Sequence, residues 1–545
     1  MLTVEKWQVF EFQVTTDKVF YDNPYYDVDI TAIFTGPNRE TIMRPAFWIG
    51  KNSWGIRFAP ISVGEWTYSL SCSDMNNTAF NNIRGAFTCT EYTGDMEIYK
   101  KGFIKTIKGK HFLYYNDGTP FFWLGDTHWN LFCLERLNES NKEGFDSQFR
   151  GMVDKRVKQK FTVYQTNLLG DIDLTDDGSG FFIAGSDYSE INLDFFANDV
   201  DPKAAYLAEK GLVNAMGFMW QDKINILKEK VLRFAYYIVA RYGAYPVIWT
   251  LGGEVPGYDG KKENVAAWGN VGLSIQQWDG YHHLITNHNS NNRPLATHYI
   301  DESWHSFSMG QLGHGDNDMN VQYYRDFFSE YPEVPYVESE AMYTGLQTLE
   351  YNGRRIIDAQ MTLNAACRAI QSGCCGYGLG VQGVWNAAWS SKGLSFDRYI
   401  FWGMQDWKTG IDLPIGDYMT NLRNFYEKLP WIELEPKKNI ITTAYTFNTA
   451  TYTAISNAFM ATATALTDLS LIVIYIADNV PPWIGYLLIG LAPSDSYSIQ
   501  KYSLIDDKYI DLEPITISND GTAELPAVVE AANSQGWLVV LKKVF

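Results

Sequence analysis

FFWLGDTHWN (121–130) and YPVIWTLGG (245–253) are the two stretches that decide the fold. Each is an apolar run of strand length that ends in glycine and is followed by polar side chains. A short apolar run without alternation is typical of a strand buried on both faces, as in a parallel sheet. The segment 222–243 carries apolar residues at steps of three and four and ends at Gly243, which predicts an amphipathic helix.

Further strand-like runs alternate with helical stretches between these two and beyond them. They lie at 162–170, 214–220, 294–300, 306–313, 334–340 and 376–386. Eight strands that alternate with helices predict a (β/α)8 barrel. The alternative is a doubly wound open sheet, which normally carries a glycine-rich phosphate loop after its first strand. The first strand here ends in GDTHW (125–129) without that loop, so the barrel is favoured.

The two ends of the chain differ from its centre. Residues 1–98 are short alternating runs separated by turn clusters such as GPNRE and KNSWG, which predict an N-terminal β-sandwich. Residues 433–545 return to this pattern and predict a C-terminal β-sandwich. With the barrel at 99–432, we expect a multidomain α/β plus all-β protein, a central (β/α)8 TIM barrel flanked by two β-sandwiches. The apolar stretch 471–492 is interrupted by Asp478 and two prolines, so it predicts strands rather than a membrane span.

Charge and composition exclude several classes of partner. The net charge is −19 and the isoelectric point about 4.9. Such a surface repels phosphate backbones and anionic lipids, so we expect neither nucleic acid nor membrane as a partner. Aromatic residues make up 15% of the chain, and their faces suit the apolar faces of sugar rings, although a large aromatic core would also account for them. A neutral carbohydrate substrate fits these observations.

The sequence shows no motif for a metal or a cofactor, and we expect neither. The six cysteines form no CxxC pair and have no zinc-ligand spacing, and the eight histidines include no HxH pair. Free buried thiols are favoured over a Cys72–Cys89 disulfide. The stretch 1–14 lacks the basic and apolar regions of a signal peptide. The sequence as written therefore predicts a cytoplasmic protein, or a secreted one if a leader has been removed.

Polar and aromatic residues stand where the predicted barrel strands end. In barrel enzymes, catalytic residues come from the C-terminal ends of the strands. From the first strand to the eighth, the residues in these positions are Asp126, His128 and Trp129; Asn167; Trp220; Glu254; His298; Gln311 and His314; Glu338 and Glu340; and Trp385. Each also has a structural interpretation, with the carboxylates as surface or helix-cap groups and the tryptophans as core residues.

The carboxylates matter most because cleavage of a glycosidic bond requires a pair of them. One protonates the leaving oxygen, and the other attacks the anomeric carbon or activates water. Glu254 ends the fourth strand. On the seventh strand, period-two alternation places Glu338 and Glu340 on the same side, so the pattern does not choose between them.

Several motifs together resemble a known family. FFWLGDTHWNLF (121–132), VIWTLGGEVPG (247–257), HYIDESWHSFSMGQLGHG (298–315) and VPYVESEAMY (334–343) resemble the landmarks of the apiosidase-like barrels, which are glycoside hydrolases and their relatives. The N-terminal segments FEFQV, NPYYDVDITAIFTGP and WGIRFAPISVGEWTY resemble the DUF5060-type β-sandwich that often precedes such barrels.

The resemblance implies roles for individual residues. Glu254 takes the place of the acid/base, where the family commonly has Asp, and Glu340 takes the place of the strand-seven carboxylate. Glu338 falls where relatives often have Asp. The resemblance also implies that six motif residues line the sugar-binding subsite. They are Asp126, His128, Trp129, His298, Gln311 and His314. Asn167, Trp220, Glu338 and Trp385 join the predicted substrate-binding set through their strand-end positions.

The resulting hypothesis is a retaining glycoside hydrolase that acts on a plant-type oligosaccharide or glycoside. A pentofuranosidase such as an apiosidase is the first candidate, although the longer Glu254 weakens the case for apiose. The alternatives are a β-glycosidase or endoglucanase-like enzyme on hexose-containing glycans, and a non-catalytic carbohydrate-binding protein. Retention predicts carboxyl groups about 5–5.5 Å apart, whereas an inverting pair is about 6.5–9.5 Å apart.

Overall fold

The computed structural model describes most of the 545-residue chain. Its described residues are 2–544 apart from 17–20, 82, 171–179, 256–260, 291–296, 316–320, 351–352, 391, 393–401, 444–460, 479–483 and 529–534. A β-rich N-terminal region precedes an α/β region, and a second β-rich region follows it. Among the described residues, no helix combines the length and the apolar character needed to cross a bilayer.

In the part of the N-terminal region that the structure describes, the strands form two sheets. Its elements are β1 Thr3–Glu5, β2 Phe10–Thr15, α1 Pro24–Asp27, β3 Ile30–Thr35, β4 Thr41–Pro45, β5 Phe47–Gly50, β6 Ser53–Phe58, β7 Gly64–Cys72, α2 Thr78–Asn81 and β8 Arg84–Thr90. The sheet orders are β1-β8-β7-β3-β4 and β2-β6-β5. In β3, Ile30, Ala32 and Phe34 are buried whereas Ile33 is 45% exposed. The alternation in the sequence therefore marks the face that packs into the core.

The central region alternates strands and helices. Its first elements are α3 Glu97–Lys101, β9 Ile104–Thr106, β10 Leu113–Tyr115, β11 Pro120–Phe121, β12 Trp123–His128, α4 Gln148–Lys158, β13 Val163–Asn167, α5 Leu193–Phe195, α6 Asp201–Glu209, β14 Val213–Gly217, β15 Met219–Trp220, α7 Ile224–Leu227 and α8 Lys230–Tyr242. They are followed by β16 Val247–Trp249, β17 Gly252–Gly253, α9 Lys262–Trp278, β18 Ser308–Gly310, α10 Gln322–Glu330, β19 Tyr336–Glu338, β20 Gln347–Glu350, β21 Gly353–Ile356, α11 Ala359–Gln371, β22 Gly376–Leu379, α12 Trp407–Gly410 and α13 Ile415–Glu427.

A seven-stranded parallel sheet forms the centre of this region. Its order is β16-β14-β13-β12-β22-β19-β18, and every neighbouring pair is parallel. Single bridges link the two edge strands through the segment 284–289. In these bridges Ile285 pairs with Trp249, and His288 pairs with Met309. The sheet is consistent with a TIM-like domain, whose strands all direct their C-terminal ends to one face.

The predicted fifth strand at 294–300 lies partly outside the described residues, which exclude 291–296. Its described end does not form a strand, since 298–300 are a turn. The segment 284–289, LITNHN, occupies the position between the fourth and sixth strands instead. It was missed because four of its six residues are polar, so it presents no apolar run.

The predicted helix at 222–243 forms as two pieces. α7 ends at Leu227, and α8 begins at Lys230 after Lys228 adopts a positive φ of 51°. The apolar positions Ile224, Leu227, Val231, Phe234 and Ile238 are all buried. The predicted buried stripe is therefore confirmed, and Gly243 follows the last residue of α8 as expected.

The described residues of the C-terminal region form two antiparallel sheets. Its strands are β23 Glu435–Pro436, β24 Ile441–Thr443, β25 Thr462–Ala465, β26 Leu471–Ile476, β27 Tyr486–Leu488, β28 Ser496–Ser503, β29 Lys508–Thr516, β30 Ala523–Glu524 and β31 Trp537–Val544. The sheet orders are β23-β25-β26-β31-β28-β29 and β24-β27-β30. Asn364 of α11 donates to Asp478 over 2.7 Å, which joins this region to the central one.

Gly280 gives a test of how the N-terminal region packs on the central one. A Cβ at this position would overlap the backbone carbonyl oxygen of Met43 in β4. Because backbone cannot step aside easily, we expect Gly280→Ala to destabilise the protein by about 1–3 kcal/mol, the usual cost of overpacking. Urea unfolding measures the change.

Gly269 provides the matched control. It lies within α9, and its added Cβ would make only an ordinary contact with Tyr299 at 3.6 Å. Gly269→Ala should stabilise by about 0.5–1 kcal/mol because alanine is the better helix residue. Equal unfolding midpoints for Gly280→Ala and the unaltered protein would contradict the proposed packing.

Candidate active site

Glu254 is placed by a strained, glycine-rich turn after the fourth strand. Leu251 and Glu254 both have positive φ, 32° and 54°. Such backbone is costly for residues with side chains, and strain of this kind concentrates at functional sites. A Cβ on Gly253 would overlap the ring of Trp220. The LGGE sequence therefore allows Trp220 to pack directly against the backbone that carries Glu254.

Glu340 lies just beyond the end of the seventh strand and is only 6% exposed. β19 ends at Glu338, so Glu340 is not bound by the alternation of the strand. Its Oε2 is 3.4 Å from His288 Nε2, and its Oε1 is 3.2 Å from His314 Nε2. Burial acts to raise the pKa of Glu340, but the two histidines outweigh it and lower the pKa to about 2. Glu340 is thus held as a carboxylate.

His288 lies between the two glutamates. The backbone N–H of Glu254 donates to His288 Nδ1 over 3.3 Å. A neutral imidazole that accepts at Nδ1 carries its proton on Nε2, which is the nitrogen that faces Glu340. Gln311 Nε2 also donates to Glu254 Oε1 over 3.2 Å. These contacts bring Glu254, Glu340, His288 and Gln311 into one site.

His314 contacts Glu340 from the other side. Its Nδ1 is 2.6 Å from the carbonyl oxygen of Ala341, and its Nε2 faces Glu340. Both ring nitrogens therefore face oxygen acceptors, an arrangement that suits the doubly protonated imidazolium. The ring of Tyr343 lies 4.7 Å from that of His314.

Aromatic side chains surround these groups. Trp129 meets Trp220 and His288 edge-on, each with ring centroids 5.3 Å apart. Trp385 is 6% exposed and donates its indole N–H to Gln382. Trp220 Nε1, Asn167 Oδ1 and Gln311 Oε1 are buried and have no hydrogen-bond partner among the described residues. Buried polar atoms of this kind call for a polar ligand or water.

Comparison with known families agrees with this geometry. The family described as "Apiosidase-like, catalytic domain" matches residues 107–433, well over half of the chain. The chain belongs to the apiosidase-like family. Glycoside hydrolysis is the activity that this membership supports. The domain of unknown function DUF5060 matches residues 3–73, as the N-terminal motifs predicted. No curated protein matches the sequence.

Solved structures show the same fold at low sequence identity. A putative glycoside hydrolase from Bacteroides vulgatus ATCC 8482 has a TM-score of 0.68 at 15% identity over 100% of both chains. A glycoside hydrolase family 5 structure from the same organism has a TM-score of 0.63 at 18% identity, over 83% of this chain and 95% of that one. A further glycoside hydrolase gives 0.62 at 17% identity, over 82% and 97%.

In the apiosidase-like domain, Asp126 and His128 lie behind the site rather than at its surface. Both have no exposure. Asp126 Oδ2 accepts from His128 Nε2 at 2.9 Å and from Arg156 Nε of α4 at 2.6 Å, and His128 Nδ1 contacts Glu135 at 2.5 Å. Their side chains therefore face helix α4, and their predicted contact with the sugar stays a prediction. Glu135 and Arg156 were missed because neither stands at a strand end: Glu135 lies further along the loop after β12, and Arg156 lies in α4.

This buried ion network sets the charge of His128. Burial acts to lower the pKa of His128, but Glu135 and Asp126 outweigh it and raise the pKa to about 9. Burial acts to raise the pKa of Asp126, and Arg156 and His128 reverse this and lower it. His128 is therefore a cation beside the Asp126 carboxylate at neutral pH, and the ring of Tyr164 stacks on that of His128 with centroids 4.3 Å apart.

The raised pKa of His128 predicts a pH-dependent stability. The protonated form of His128 is favoured in the folded protein. Its contribution to the stability of the fold is therefore complete below the pKa of the unfolded state, about 6.5, and is lost as the pH rises through about 9. We expect His128→Gln to lower the melting temperature most at pH 6, with a difference that shrinks towards pH 10. Thermal melts of both proteins between pH 6 and 10 measure it. A difference that stays constant or grows would refute the network's charge assignment.

The inner side of the first two strands carries residues that the sequence reasoning missed. Thr127 pairs with Gln165 across β12 and β13. Gln165 Nε2 donates to Thr127 Oγ1 at 3.1 Å and to the carbonyl oxygen of Ser339 at 2.9 Å. Gln165 thus supports the backbone next to Glu340. The available signal was alternation, which puts Thr127 on the face opposite Asp126 and His128.

Glu338 is a buried carboxyl behind the site. Tyr324 of α10 donates to its Oε2 at 2.7 Å, and the backbone N–H of Glu340 donates to its Oε1 at 2.9 Å. Burial, with a smaller effect of Glu340, raises the pKa of Glu338 to about 8 despite these donors. Its predicted contact with the sugar stays a prediction. The same holds for His298, which is partly buried in the turn at 298–300.

The described residues contain no group of three or more His, Cys, Asp and Glu side chains arranged to hold a metal ion. All six cysteines are free thiols, five of them buried and Cys133 partly buried. The favoured expectation of free thiols is therefore confirmed, and the Cys72–Cys89 disulfide is not formed.

Proposed function

We propose that the protein is a retaining glycoside hydrolase in which Glu340 is the nucleophile and Glu254 the acid/base. The observation that carries this proposal is the contact of Glu340 with two histidines, which keeps it ionised within an aromatic site shared with Glu254. A nucleophile must be anionic when the substrate arrives, and the low pKa of Glu340 meets that requirement.

The reaction proceeds in two steps. Glu340 attacks the anomeric carbon while Glu254 gives its proton to the leaving oxygen. Water then releases the sugar from Glu340, with Glu254 acting as the base. The pair would then be about 5–5.5 Å apart.

Glu254 has to be protonated before the first step. The nearby negative charge of Glu340 favours the protonated form of a second carboxyl. Gln311 donates to Oε1 of Glu254, so we expect the transferable proton on Oε2. In the second step Glu340 is esterified and neutral, which lets Glu254 ionise and activate water.

The proposed substrate is a neutral plant-type oligosaccharide or glycoside, with pentofuranosides such as apiosides first. The aromatic walls and unpartnered polar atoms suit a ring with several hydroxyl groups. β-Hexosides are the second candidate class of substrate.

We further propose three structural units, with a sandwich at 1–98, the barrel at 99–432 and a second sandwich at 433–545.

A panel of aryl glycosides that includes pentofuranosides and hexosides tests the proposal. The anomeric configuration of the first product is read by NMR. We expect hydrolysis with retention. An inverted first product would refute the nucleophile assignment, and calorimetric binding without any product would favour the carbohydrate-binding alternative.

A further inference from the structure

We propose that His288 is a positioning residue that couples the two catalytic glutamates, with Nδ1 holding the backbone of Glu254 and Nε2–H directed at Glu340. The inference rests on the proposed function for its catalytic meaning. It adds a residue that no strand-end motif identifies, because 284–289 was not predicted as a strand.

The first contact fixes the turn that carries Glu254. The backbone N–H of Glu254 donates to Nδ1 over 3.3 Å, at a residue with a φ of 54°. Left-handed backbone at a non-glycine residue persists only when its surroundings hold it. The imidazole acceptor supplies one such restraint directly at the strained residue.

The second contact orients Glu340. With Nδ1 accepting, Nε2 carries the proton and lies 3.4 Å from Glu340 Oε2, long for a hydrogen bond but close enough for a favourable charge–dipole contact. His314, which follows β18 in the chain, contacts Oε1 of Glu340. The other titratable groups near Glu340 are Glu338, whose Oε1 accepts its backbone N–H, and Tyr343.

The ring of His288 is itself held in place. Only 2% of the residue is exposed, and the rings of Trp129 and Trp220 meet it edge-on at 5.3 and 6.1 Å. Its backbone bridges to Met309 of β18. Because the ring is packed on two sides, it does not move when either glutamate moves. It therefore holds Glu254 and Glu340 at a constant separation.

Two substitutions separate the two contacts. The side-chain amide of Asn reaches the position of Nδ1 and can still accept from Glu254. The amide of the longer Gln reaches the position of Nε2 and can still donate towards Glu340. His288→Ala removes both contacts, and His282→Gln, at an exposed position after α9, is the matched control.

The ionisation of Glu340 is read by ¹³C NMR of glutamate carboxyls, with the Glu340 signal assigned by its loss in Glu340→Gln. We expect its titration midpoint to rise by about one pH unit or more in His288→Ala and His288→Asn, and to stay near that of the unaltered protein in His288→Gln and His282→Gln. Thermal melts show which variants are folded.

Kinetics on the substrate found in the panel report the Glu254 contact. We expect kcat to fall by roughly 10- to 100-fold in His288→Ala with KM within about threefold, because alignment rather than binding is lost. His288→Gln should also lose kcat although its Glu340 titration is normal. His288→Asn should lose kcat together with a shifted acid limb of the pH profile.

An unchanged Glu340 titration in folded His288→Asn would overturn the inference even if the enzyme is active. A normal kcat in folded His288→Gln would overturn the coupling to Glu254. The NMR titration needs no substrate, so a protein that hydrolyses nothing in the panel but shows the expected shifts would sink only the proposed function.

Discussion

Glu340→Gln is expected to lose turnover by roughly 10⁴-fold or more, the scale on which hydrolases feel the loss of a nucleophile. The amide is nearly the same size as the carboxylate but has no negative charge to attack the anomeric carbon. It also cannot form the glycosyl ester. Initial rates on the best aryl glycoside measure the loss, and circular dichroism checks the fold.

Glu333→Gln is the matched control for this experiment. Glu333 is exposed on the same segment, just before β19, so its amide should leave the rates unchanged. Glu340→Gln that keeps more than a tenth of the activity while folded would remove Glu340 from the role of nucleophile.

The second large effect is expected for Glu254→Gln. Loss of a general acid typically costs about 10²–10⁴-fold, so kcat/KM should fall by that factor for alkyl glycosides. A 2,4-dinitrophenyl glycoside should keep most of its kcat/KM because its leaving group needs no proton. The enzyme should then stall as the glycosyl ester, because the base for water is missing.

Azide distinguishes this role from a structural one. Added azide should restore turnover of the dinitrophenyl glycoside by Glu254→Gln and give a glycosyl azide of retained configuration, since the small anion needs no base. The exposed Glu263→Gln on α9 is the control and should behave as the unaltered enzyme. An equal loss for both leaving groups, with no effect of azide, would contradict the acid/base assignment.

The fold was largely predictable because apolar runs mark strands that are buried on both faces. The run 121–125 overlaps β12 Trp123–His128, and the run 334–340 contains β19 Tyr336–Glu338. The rule failed at 284–289 because this segment carries Thr286, Asn287 and His288 instead of apolar side chains, and His288 contacts both glutamates. A strand that supplies polar side chains to the site lacks the apolar run by which strands are predicted.

The site was predictable only in part. The strand-end rule found Glu254, Gln311, His314 and Glu340, and the structure brings these four together around His288. It also selected Asp126 and His128, whose alternation in β12 turns them towards Arg156. Sequence spacing gives the strand end, but the direction of a side chain there depends on the residue at which the strand stops.

The same reasoning explains the choice between Glu338 and Glu340. An ideal strand would put both side chains on one side, but β19 stops at Glu338. Glu338 therefore meets Tyr324 behind the sheet, whereas Glu340 meets the two histidines. The residue at which the hydrogen bonding of a strand stops cannot be read from the alternation of polar and apolar residues.

Trapping of the glycosyl-enzyme identifies the nucleophile without reference to rates. The enzyme is incubated with the 2-deoxy-2-fluoro glycosyl donor of the sugar identified in the panel, and the proteolytic peptide that contains Glu338 and Glu340 is fragmented in a mass spectrometer. The account predicts one glycosyl adduct, on the carboxylate of Glu340. An adduct on Glu254 or Glu338, or active enzyme that never forms an adduct, would contradict it.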